Sequence, residues 1–592
     1  MHTAGPAQII AGPGSGKTFV TVHRIQYLIT HQSISPDRIL VITFTKAAAL
    51  EMQERFFRLM EPERPPVRFG TFHAVFYHIL KQSARYRGYS IMTESEKRKH
   101  IRQIVRLYNR FSSLQEEDLE ELVAVVSARK TAVKGRKISI QGITEEDIGF
   151  LLKEYKTYQQ EYRQMDFDDI ILFCRKLLQE EPETLAWWQK QFKYILVDEF
   201  QDISPIQYEI VKMLAAPERN LFIVGDDDQS IYGFRGASPD SMQRFRQVYP
   251  DAVQILLDRN YRCHKQIVES ALKVIGENHN RIEKQIVAVH EEGSGFELRI
   301  CENEEEEQEY FVWKLRDRQK CMQLSECAVI CRTNYDCAMW AQVLQRNAIP
   351  FVMKERPGNL FRHFVIQDIM AYLTLADGEN RRKYFLRIMN RPVRYLKRDS
   401  VPEESVKEEQ LLLYYAGSPV LQDRVRKMFR DIRNLSGRKL YLQIHYIRNI
   451  IGYDSFLKEK YGAAKAEELI RTAEKFQELS RRFRSLKEMR EYISEYEESL
   501  QKIQEHKEQT SQGVNLLTMH ASKGLEFDTV LVPGCQEGTI PSAKSVTEEE
   551  IEEERRMFYV AMTRARHELC LIADKGKTGK DASSRFLACL QR

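Results

Sequence analysis

The sequence predicts an α/β protein built on two parallel sheets, and two observations lead to that fold class. Short apolar runs that end in polar or glycine-rich sequence alternate with helical patterns along much of the chain. Such alternation is typical of parallel strands joined by crossover helices. Two long, charged stretches with purely helical patterns interrupt it. The expected plan is therefore two parallel-sheet domains, each with a mainly helical insertion.

The apolar runs fall into two sets. The first set predicts strands at 7–11, 39–43, 194–198 and 220–224. The second set predicts strands at 326–334, 514–520, 528–534 and 567–573. The run ENEEEEQEY at 302–310 is expected to begin a solvated helix, with its glutamates near the positive end of the helix dipole.

The helical stretches set the expected domain boundaries. The first sheet domain would contain a helical insertion, resume after it, and give way to a second sheet domain with an insertion of its own. The first sheet domain is predicted at 1–75 and 164–258, with its helical insertion at 76–163. The second sheet domain is predicted at 259–376 and 508–592, with its helical insertion at 377–507.

Composition limits the class of protein. The chain has 592 residues, 43% hydrophobic and 30% charged, which is typical of a globular protein with several domains. It contains no apolar run of roughly 18 residues and no signal peptide, so we expect no membrane span and a cytoplasmic location. The net charge of +5 permits a nucleic-acid partner without requiring one.

Ten cysteines in a chain of this length do not indicate a disulfide framework. Cys321, Cys327, Cys331 and Cys337 cluster in the sequence but contain no C-x-x-C pair. Buried free thiols are therefore favoured over a zinc or iron–sulfur site.

The stretch AGPGSGKT at 11–18 lies between a predicted strand and a helical pattern. It fits the phosphate-binding pattern [AG]-x-x-x-x-G-K-[ST], in which glycines let backbone N–H groups surround phosphate oxygens. Lys17 would reach the β- and γ-phosphates, and the Thr18 hydroxyl would bind Mg²⁺. The predicted nucleotide cradle comprises Ala11, Gly12, Pro13, Gly14, Ser15, Gly16, Lys17 and Thr18.

The run YILVDEFQD at 194–202 is an apolar strand that ends in two carboxylates. Asp198 is placed to hold Mg²⁺, and Glu199 to orient and deprotonate a water that attacks the γ-phosphate. Together with the phosphate-binding loop, the pair predicts hydrolysis of a nucleoside triphosphate.

The run VGDDDQSIYGFRGAS at 224–238 combines three aspartates, an amide, two aromatic residues and an arginine. Neither a buried strand nor a solvated acidic loop needs that mixture. With other motifs, it makes the chain resemble superfamily 1 DNA helicases of the UvrD/PcrA/Rep family. The stretches that carry the resemblance are AGPGSGKT, VITFTKAAALEMQER, GTFHAVFYHIL, MDFDDIILF, ILVDEFQD, VGDDDQSIYGFRGA, LDRNYRCHKQI, AVICRTN, LLTMHASKGLEFDTVLVPG and EEERRMFYVAMTRAR.

The resemblance implies two RecA-like motor domains that use ATP and Mg²⁺ and move 3′ to 5′ on single-stranded DNA. It implies that Gln229 contacts the γ-phosphate and the attacking water, while Tyr232 and Phe234 stack on bases. Stacking is worth roughly 1–3 kcal/mol per base and tolerates any sequence, which suits a motor. Phe234 stands where the family commonly has tryptophan.

The resemblance also implies that Arg262 and Arg564 reach the γ-phosphate from the second motor domain. It assigns Tyr261 to stacking on adenine and Glu526 to binding the ribose. The DNA-contacting residues that it implies are Phe44, Thr45, Thr71, His73, Tyr232, Phe234, Arg235, Arg332, Thr518 and His520.

The leading interpretation is an ATP-dependent DNA helicase, monomeric in isolation, acting on single strands and 3′-tailed duplexes. Because the insertion at 377–507 is shorter than in the best-known family members, a single-strand translocase with weak unwinding stays open. An ATPase subunit of a DNA repair or defence complex is the other alternative.

The family usually carries a glutamine-containing segment upstream of the phosphate-binding loop, whereas ten residues precede Ala11 here. Either the true start lies upstream, or adenine is read mainly by stacking on Tyr261. Since stacking accepts every purine, the second case predicts weak discrimination of ATP from GTP.

Overall fold

The computed structural model describes most of the chain. The described residues are 4–111, 114, 118–131, 140, 143–233, 236–237, 240–291, 295–353, 355, 358–402, 404–505, 513–575 and 583–591.

The strands, in chain order, are β1 (Ala7–Ala11), β2 (Ile39–Thr43), β3 (Arg68–Thr71), β4 (Ser90–Ile91), β5 (Gln164–Met165), β6 (Tyr194–Val197), β7 (Leu221–Gly225), β8 (Val253–Leu257), β9 (Arg259–His264), β10 (Val287–His290), β11 (Gly295–Cys301), β12 (Cys327–Cys331), β13 (Phe351–Met353), β14 (Val514–Thr518), β15 (Phe527–Val532) and β16 (Ala565–Asp574). The helices are α1 (Lys17–Thr30), α2 (Lys46–Leu59), α3 (Phe72–Gln82), α4 (Glu94–Leu107), α5 (Leu119–Lys130), α6 (Glu145–Glu161), α7 (Phe167–Glu180), α8 (Pro182–Gln191), α9 (Pro205–Ala215), α10 (Ser241–Val248), α11 (Lys265–Ile275), α12 (Glu304–Gln319), α13 (Asn334–Arg346), α14 (Phe364–Ala376), α15 (Arg382–Ile388), α16 (Glu408–Tyr414), α17 (Pro419–Leu435), α18 (Leu440–Asn449), α19 (Tyr453–Tyr461), α20 (Ala463–Leu479), α21 (Leu486–Glu505) and α22 (Glu548–Met562).

The first sheet has the strand order β3-β2-β6-β7-β1-β8, and every neighbouring pair is parallel. Strand β2 shows why the apolar runs predict it: Leu40 and Ile42 enter one core, while Ile39 and Val41 enter the core on the opposite face. A strand buried on both faces has to be apolar at every position. The four strands predicted here are confirmed within a residue at each end.

The second sheet has the order β11-β16-β15-β12-β14-β13 and is also parallel throughout its neighbouring pairs. Separate cores cover its two faces. The α/β class with two parallel sheets is therefore confirmed. The sequence prediction missed the edge strands β3, β8, β11 and β13, because these strands are partly exposed and contain at most three consecutive apolar residues.

Two helical regions interrupt the sheets. Helices α4 to α6 share a core of their own, and helices α14 to α21 share another. Lys465, at the start of α20, pairs with Glu121 in α5, so the two helical regions touch. The predicted insertions 76–163 and 377–507 overlap these helices, although α14 precedes residue 377 and shares the second helical core. The predicted domains stay a prediction.

Helix α12 begins within the acidic run, as predicted, with four glutamates in its first turn. The expectation that these glutamates are solvated is wrong for Glu307, which is only 3% exposed. Its carboxylate accepts a 2.7 Å hydrogen bond from the backbone N–H of Gly534, which pins the helix against the second sheet.

Within the described ranges, no helix combines the length and the apolar character that crossing a membrane requires. Cys327, Cys331 and Cys337 are buried free thiols, as predicted, whereas Cys321 is exposed beyond the end of α12. The prediction of a buried thiol is wrong for Cys321 because it follows the last turn of the helix and lies outside the core.

Candidate nucleotide and nucleic-acid site

The phosphate-binding loop connects the buried strand β1 to helix α1. Gly14 and Gly16 have φ values of +65° and +85°, a region that side chains with a Cβ rarely adopt. A Cβ on Gly14 would also lie 2.6 Å from the Cβ of Arg262. Gly16 caps α1 without a side chain, so the first N–H groups of the helix are open to an anion.

Asn260, in β9, ties the phosphate-binding loop to the start of the second half of the chain. Its side-chain amide donates to the carbonyl of Pro13 at 2.8 Å, and its oxygen accepts from the backbone N–H groups of Arg262 and Cys263. The Tyr261 N–H donates to the carbonyl of Gly14 at 2.9 Å. The sequence analysis did not single out Asn260, although it opens the NYR motif.

Lys17, Asp198 and Glu199 converge at the carboxyl ends of β1 and β6. Lys17 Nζ lies 3.5 Å from Glu199 Oε1. Lys17 Nζ and Asp198 Oδ1 are buried, and neither has a hydrogen-bond partner among the described residues. Because burying such atoms unpaired costs free energy, they fit a ligand that supplies phosphate oxygens and a cation. Thr18 lies in the first turn of α1 and is half-buried.

The pKa values of Asp198 and Glu199 are shifted in opposite directions. Burial raises the pKa of Asp198, and the negative charge of Glu199 raises it further. Burial acts in the same direction on Glu199, but the ammonium groups of Lys17 and Lys523 outweigh it and lower its pKa. Glu199 is therefore held as a carboxylate, the form that can orient a water.

Gln229 and Arg564 meet in the cleft although 335 positions separate them. Arg564 is 2% exposed, and its Nε donates to the carbonyl of Val560 at 2.8 Å. Its terminal nitrogen donates to Gln229 Oε1 at 3.4 Å, and Gln229 Nε2 donates to Asp226 Oδ2 at 2.6 Å. Burial lowers the pKa of Arg564, because nothing nearby fully compensates its charge.

Arg262 is engaged by Glu526, with 2.7 Å between Nε and Oε2. Arg566 donates to the other oxygen of Glu526 at 2.6 Å. Burial opposes the effect, but the guanidinium groups of Arg566 and Arg262 lower the pKa of Glu526 to about 2. Tyr261 lies beside this cluster and is 56% exposed, so a face of its ring is available for stacking.

Lys523 is a site residue that the sequence analysis missed. It extends from the second half of the chain into the first, where it pairs with Asp202 and donates to the carbonyl of Gln229 at 2.8 Å. Its Nζ lies 3.7 Å from Glu199 Oε2 and 5.1 Å from the centre of the Tyr232 ring. Its position between His520 and Glu526, in the motif HASKGLEF, was the available signal.

Three of the predicted DNA-contacting rings form a row across the two halves. Phe44 follows β2, Tyr232 follows the loop after β7, and His520 follows β14. The rings of Phe44 and Tyr232 stack with centres 4.8 Å apart, and Tyr232 lies 6.2 Å from His520.

The predicted DNA-contacting threonines of the first half have local partners. Thr45 and Thr71 cap α2 and α3, and their hydroxyl groups accept hydrogen bonds from the backbone N–H groups three residues on. His73 lies edge-on to Phe167, with ring centres 5.6 Å apart.

In the second half, Arg332 forms an ion pair with Glu554 that uses two of its nitrogens. Thr518 donates to Glu355 at 2.9 Å. Phe234 and Arg235 lie outside the described residues. The DNA contacts of all these residues stay predictions.

Comparisons with known proteins identify the family of the chain. Residues 1–250 match the UvrD/REP helicase N-terminal domain, and residues 255–576 match the UvrD-like helicase C-terminal domain. The chain belongs to the UvrD/REP helicase family. The predicted family is thus confirmed, and as a member the protein is a helicase and an enzyme.

Relatives of this helicase align over almost its whole length. YjcD of Bacillus subtilis is 32% identical over 99% of this chain and 79% of its own. The proteins named ATP-dependent DNA helicase PcrA from Bacillus subtilis and Staphylococcus epidermidis are each 31% identical, over 99% of this chain and 84% of theirs.

Proposed function

We propose that this helicase hydrolyses ATP with Mg²⁺ between its two parallel sheets and thereby moves 3′ to 5′ along single-stranded DNA. Activity as an ATP-dependent DNA helicase follows from family membership, while the direction and the roles of individual residues are the finer proposal. The observation that supports it most is that two buried atoms beside the phosphate-binding loop, Lys17 Nζ and Asp198 Oδ1, have no hydrogen-bond partner among the described residues.

On the side of the first sheet, the loop N–H groups and Lys17 would bind the β- and γ-phosphates. Thr18 and Asp198 offer the hydroxyl and the carboxylate that would hold Mg²⁺, which when bound neutralises charge on the phosphates. Glu199, ionised in this structure, would orient the attacking water and accept its proton.

On the side of the second sheet, Arg564 is aimed into the cleft by contacts with two backbone carbonyls and with Gln229. Arg262 has to leave Glu526, at least in part, to reach a phosphate. An arginine that stabilises the transition state is worth roughly 10³–10⁵ in rate. Hydrolysis therefore depends on how the two halves close around the nucleotide.

The link to DNA runs through Lys523. Its ammonium group contacts both the loop that presents Tyr232 and the carboxylate of Glu199. A base that stacks on Tyr232 would change the surroundings of Lys523 and, through it, those of Glu199. This route would couple DNA binding to hydrolysis.

The test combines two measurements. ATP turnover should rise strongly when single-stranded DNA is added, and no rise would favour an ATPase subunit of a repair or defence complex. Duplexes with a 3′ tail should be unwound and those with a 5′ tail should not. Stimulated turnover without unwinding of either duplex would favour a single-strand translocase. A cytoplasmic location and a monomeric state belong to the same proposal.

A further inference from the structure

The loop after β7 contains a buried cluster of charges that the nucleotide site does not explain. Asp226, Asp227 and Asp228 are each less than 5% exposed and lie close enough together to hold a cation. The cation present is the ammonium group of Lys284, which is fully buried. Its Nζ lies 2.6 Å from Asp226 Oδ1 and 3.0 Å from Asp228 Oδ2, and it also pairs with Asp227.

Lys284 is secured as an ammonium ion. Burial alone would lower its pKa, but the three carboxylates outweigh burial and raise it. Arg281 adds a second cation, with its Nε and a terminal nitrogen 2.9 and 2.7 Å from the two oxygens of Asp228. The site is therefore a compensated ion cluster, and Lys284 takes the place that a metal ion would need.

The segment that carries Lys284 is anchored to helix α22. The backbone N–H of His279 donates to Glu552 Oε1 at 2.6 Å, and Arg556 donates to the carbonyl of Asn280 at 3.1 Å. Helix α22 ends two residues before Arg564. One helix therefore supports both the lysine that holds Asp226 and the arginine that meets Gln229.

The chemistry of these groups fixes which way the Gln229 amide points. A carboxylate only accepts hydrogen bonds, so the Gln229 nitrogen has to face Asp226. A guanidinium only donates, so the Gln229 oxygen has to face Arg564. Asp226 Oδ1 already accepts from Lys284 and from the backbone N–H of Asp228, which leaves Oδ2 for Gln229.

We propose that Asp226, held by Lys284, is a positioning residue that fixes the orientation of the Gln229 amide in the cleft. The proposal rests on the proposed function in one respect, that Gln229 acts at the γ-phosphate. Asp226 itself would contact neither the nucleotide nor the water.

Asp226→Asn is the variant that separates this role from packing. The new side chain keeps the shape and one oxygen, which Lys284 and the Asp228 N–H retain. Its NH₂ group then faces Gln229, so the Gln229 amide has to turn over and present its nitrogen to Arg564. Two donors face each other there, and the orientation is lost.

The matched control is Asp227→Asn, which removes the same charge from the same lysine. One oxygen of Asp227 accepts from Lys284 and the other from the Ile282 N–H, so the new NH₂ group meets a donor and should lower stability. Gln229 keeps its partner Asp226 in this variant. We expect Asp226→Asn to lower DNA-stimulated kcat about tenfold or more. Asp227→Asn should stay within about twofold of the parent. Thermal unfolding of both variants reports whether each is folded.

A binding measurement supplies a readout apart from turnover. Because Gln229 is expected at the γ-phosphate, Gln229→Ala should reduce the preference for a non-hydrolysable ATP analogue over ADP. Asp226→Asn should reduce it equally, and adding Asp226→Asn to Gln229→Ala should change nothing further. The positioning role would be overturned if the effects of Asp226→Asn and Gln229→Ala on nucleotide preference multiplied in the double variant. It would also be overturned if Asp226→Asn and Asp227→Asn lowered kcat equally. If Gln229→Ala leaves turnover and nucleotide preference intact, the assignment of Gln229 in the proposed function is what fails.

Discussion

The two halves of the cleft differ in what holds their charged side chains. In the first half, Lys17 Nζ and Asp198 Oδ1 are buried without a hydrogen-bond partner among the described residues. In the second half, Arg262 is paired with Glu526, and Lys523 is paired with Asp202 across the cleft. The first half is ready to receive a ligand. The second half has to exchange protein partners for ligand oxygens before it can act.

This difference indicates which half of the cleft can control nucleotide binding and which can control hydrolysis. When a cation that is already paired with a protein carboxylate moves to a phosphate, it gains only the difference in free energy between the two interactions. A small change in geometry can therefore decide which of the two partners it binds. An unpaired buried atom gains the whole interaction. Binding would therefore be set by the first half and the rate of hydrolysis by the second.

Lys17→Ala is expected to have the largest effect and tests the difference between the two halves of the cleft most directly. Removing this ammonium group, which lies 3.5 Å from Glu199 and has no hydrogen-bond partner among the described residues, should lower ATP hydrolysis by about 10³-fold or more, because its interaction with the phosphates has no substitute. Single-stranded DNA binding, measured by fluorescence anisotropy, should persist, since other residues form that surface. Lys190→Ala, at an exposed lysine of the same half, is the control. Turnover near the parent rate in Lys17→Ala would show that the loop is not the nucleotide site.

Arg564→Lys tests the second half. Lysine keeps the charge but cannot reproduce the guanidinium contacts with Val560, Leu525 and Gln229. We expect kcat to fall about 10²-fold while KM for ATP changes little, as steady-state kinetics would show. Arg585→Lys, at an arginine that pairs with Glu537 on the surface, should have no effect. A rise in KM with kcat unchanged would place Arg564 in binding and remove the contrast between the halves.

Tyr232→Ala tests the connection between DNA and the paired lysine. Losing one stacking platform should weaken binding of single-stranded DNA about 5- to 150-fold and reduce stimulated turnover more than basal turnover. Titration with DNA during an ATPase assay measures both. Tyr162→Ala, at an exposed tyrosine of the first helical region, serves as the control. Equal loss of basal and stimulated rates would mean that Tyr232 acts in packing alone.

Glu307→Gln is expected to have the smallest effect, which is on stability alone. It tests whether the buried carboxyl group of Glu307 destabilises the second half of the protein when it is ionised. Burial raises the pKa of Glu307 to about 7, with Asp574 and Glu304 adding to the shift against the Gly534 N–H. Between about pH 4.5 and 7 the native state binds a proton that the unfolded state releases, so stability falls as pH rises.

Glutamine keeps the acceptor for Gly534 and has no charge to bury. The variant should therefore gain about 1–3 kcal/mol over the parent at pH 8 and little at pH 5, measured by denaturant unfolding. Glu305→Gln, in the same turn but exposed, should show no such dependence. A gain that is equal at both pH values would mean that Glu307 is ionised throughout.

Much of the nucleotide site could be predicted because it is local in sequence. The phosphate-binding loop needs closely spaced glycines followed by Lys17 and Thr18, and Asp198 and Glu199 directly follow a buried strand. In a parallel sheet the carboxyl ends of neighbouring strands share one edge, so contiguous motifs are enough to bring these groups together. For the same reason the apolar runs predicted the inner strands of both sheets and missed the half-exposed edges.

By itself, then, the sequence determined the two parallel sheets, the helical stretches that interrupt them and the phosphate-binding motif of the first half. Only the tertiary structure decided which partner each cation meets: Lys523 pairs with Asp202, Lys284 pairs with Asp226, and Arg564 donates to the amide oxygen of Gln229. The paired residues lie between 58 and 335 positions apart. A lysine or arginine has the same charge whichever carboxylate it meets, so residue type alone does not select the partner. Burial and distance select it, and both exist only once the two halves have folded against each other.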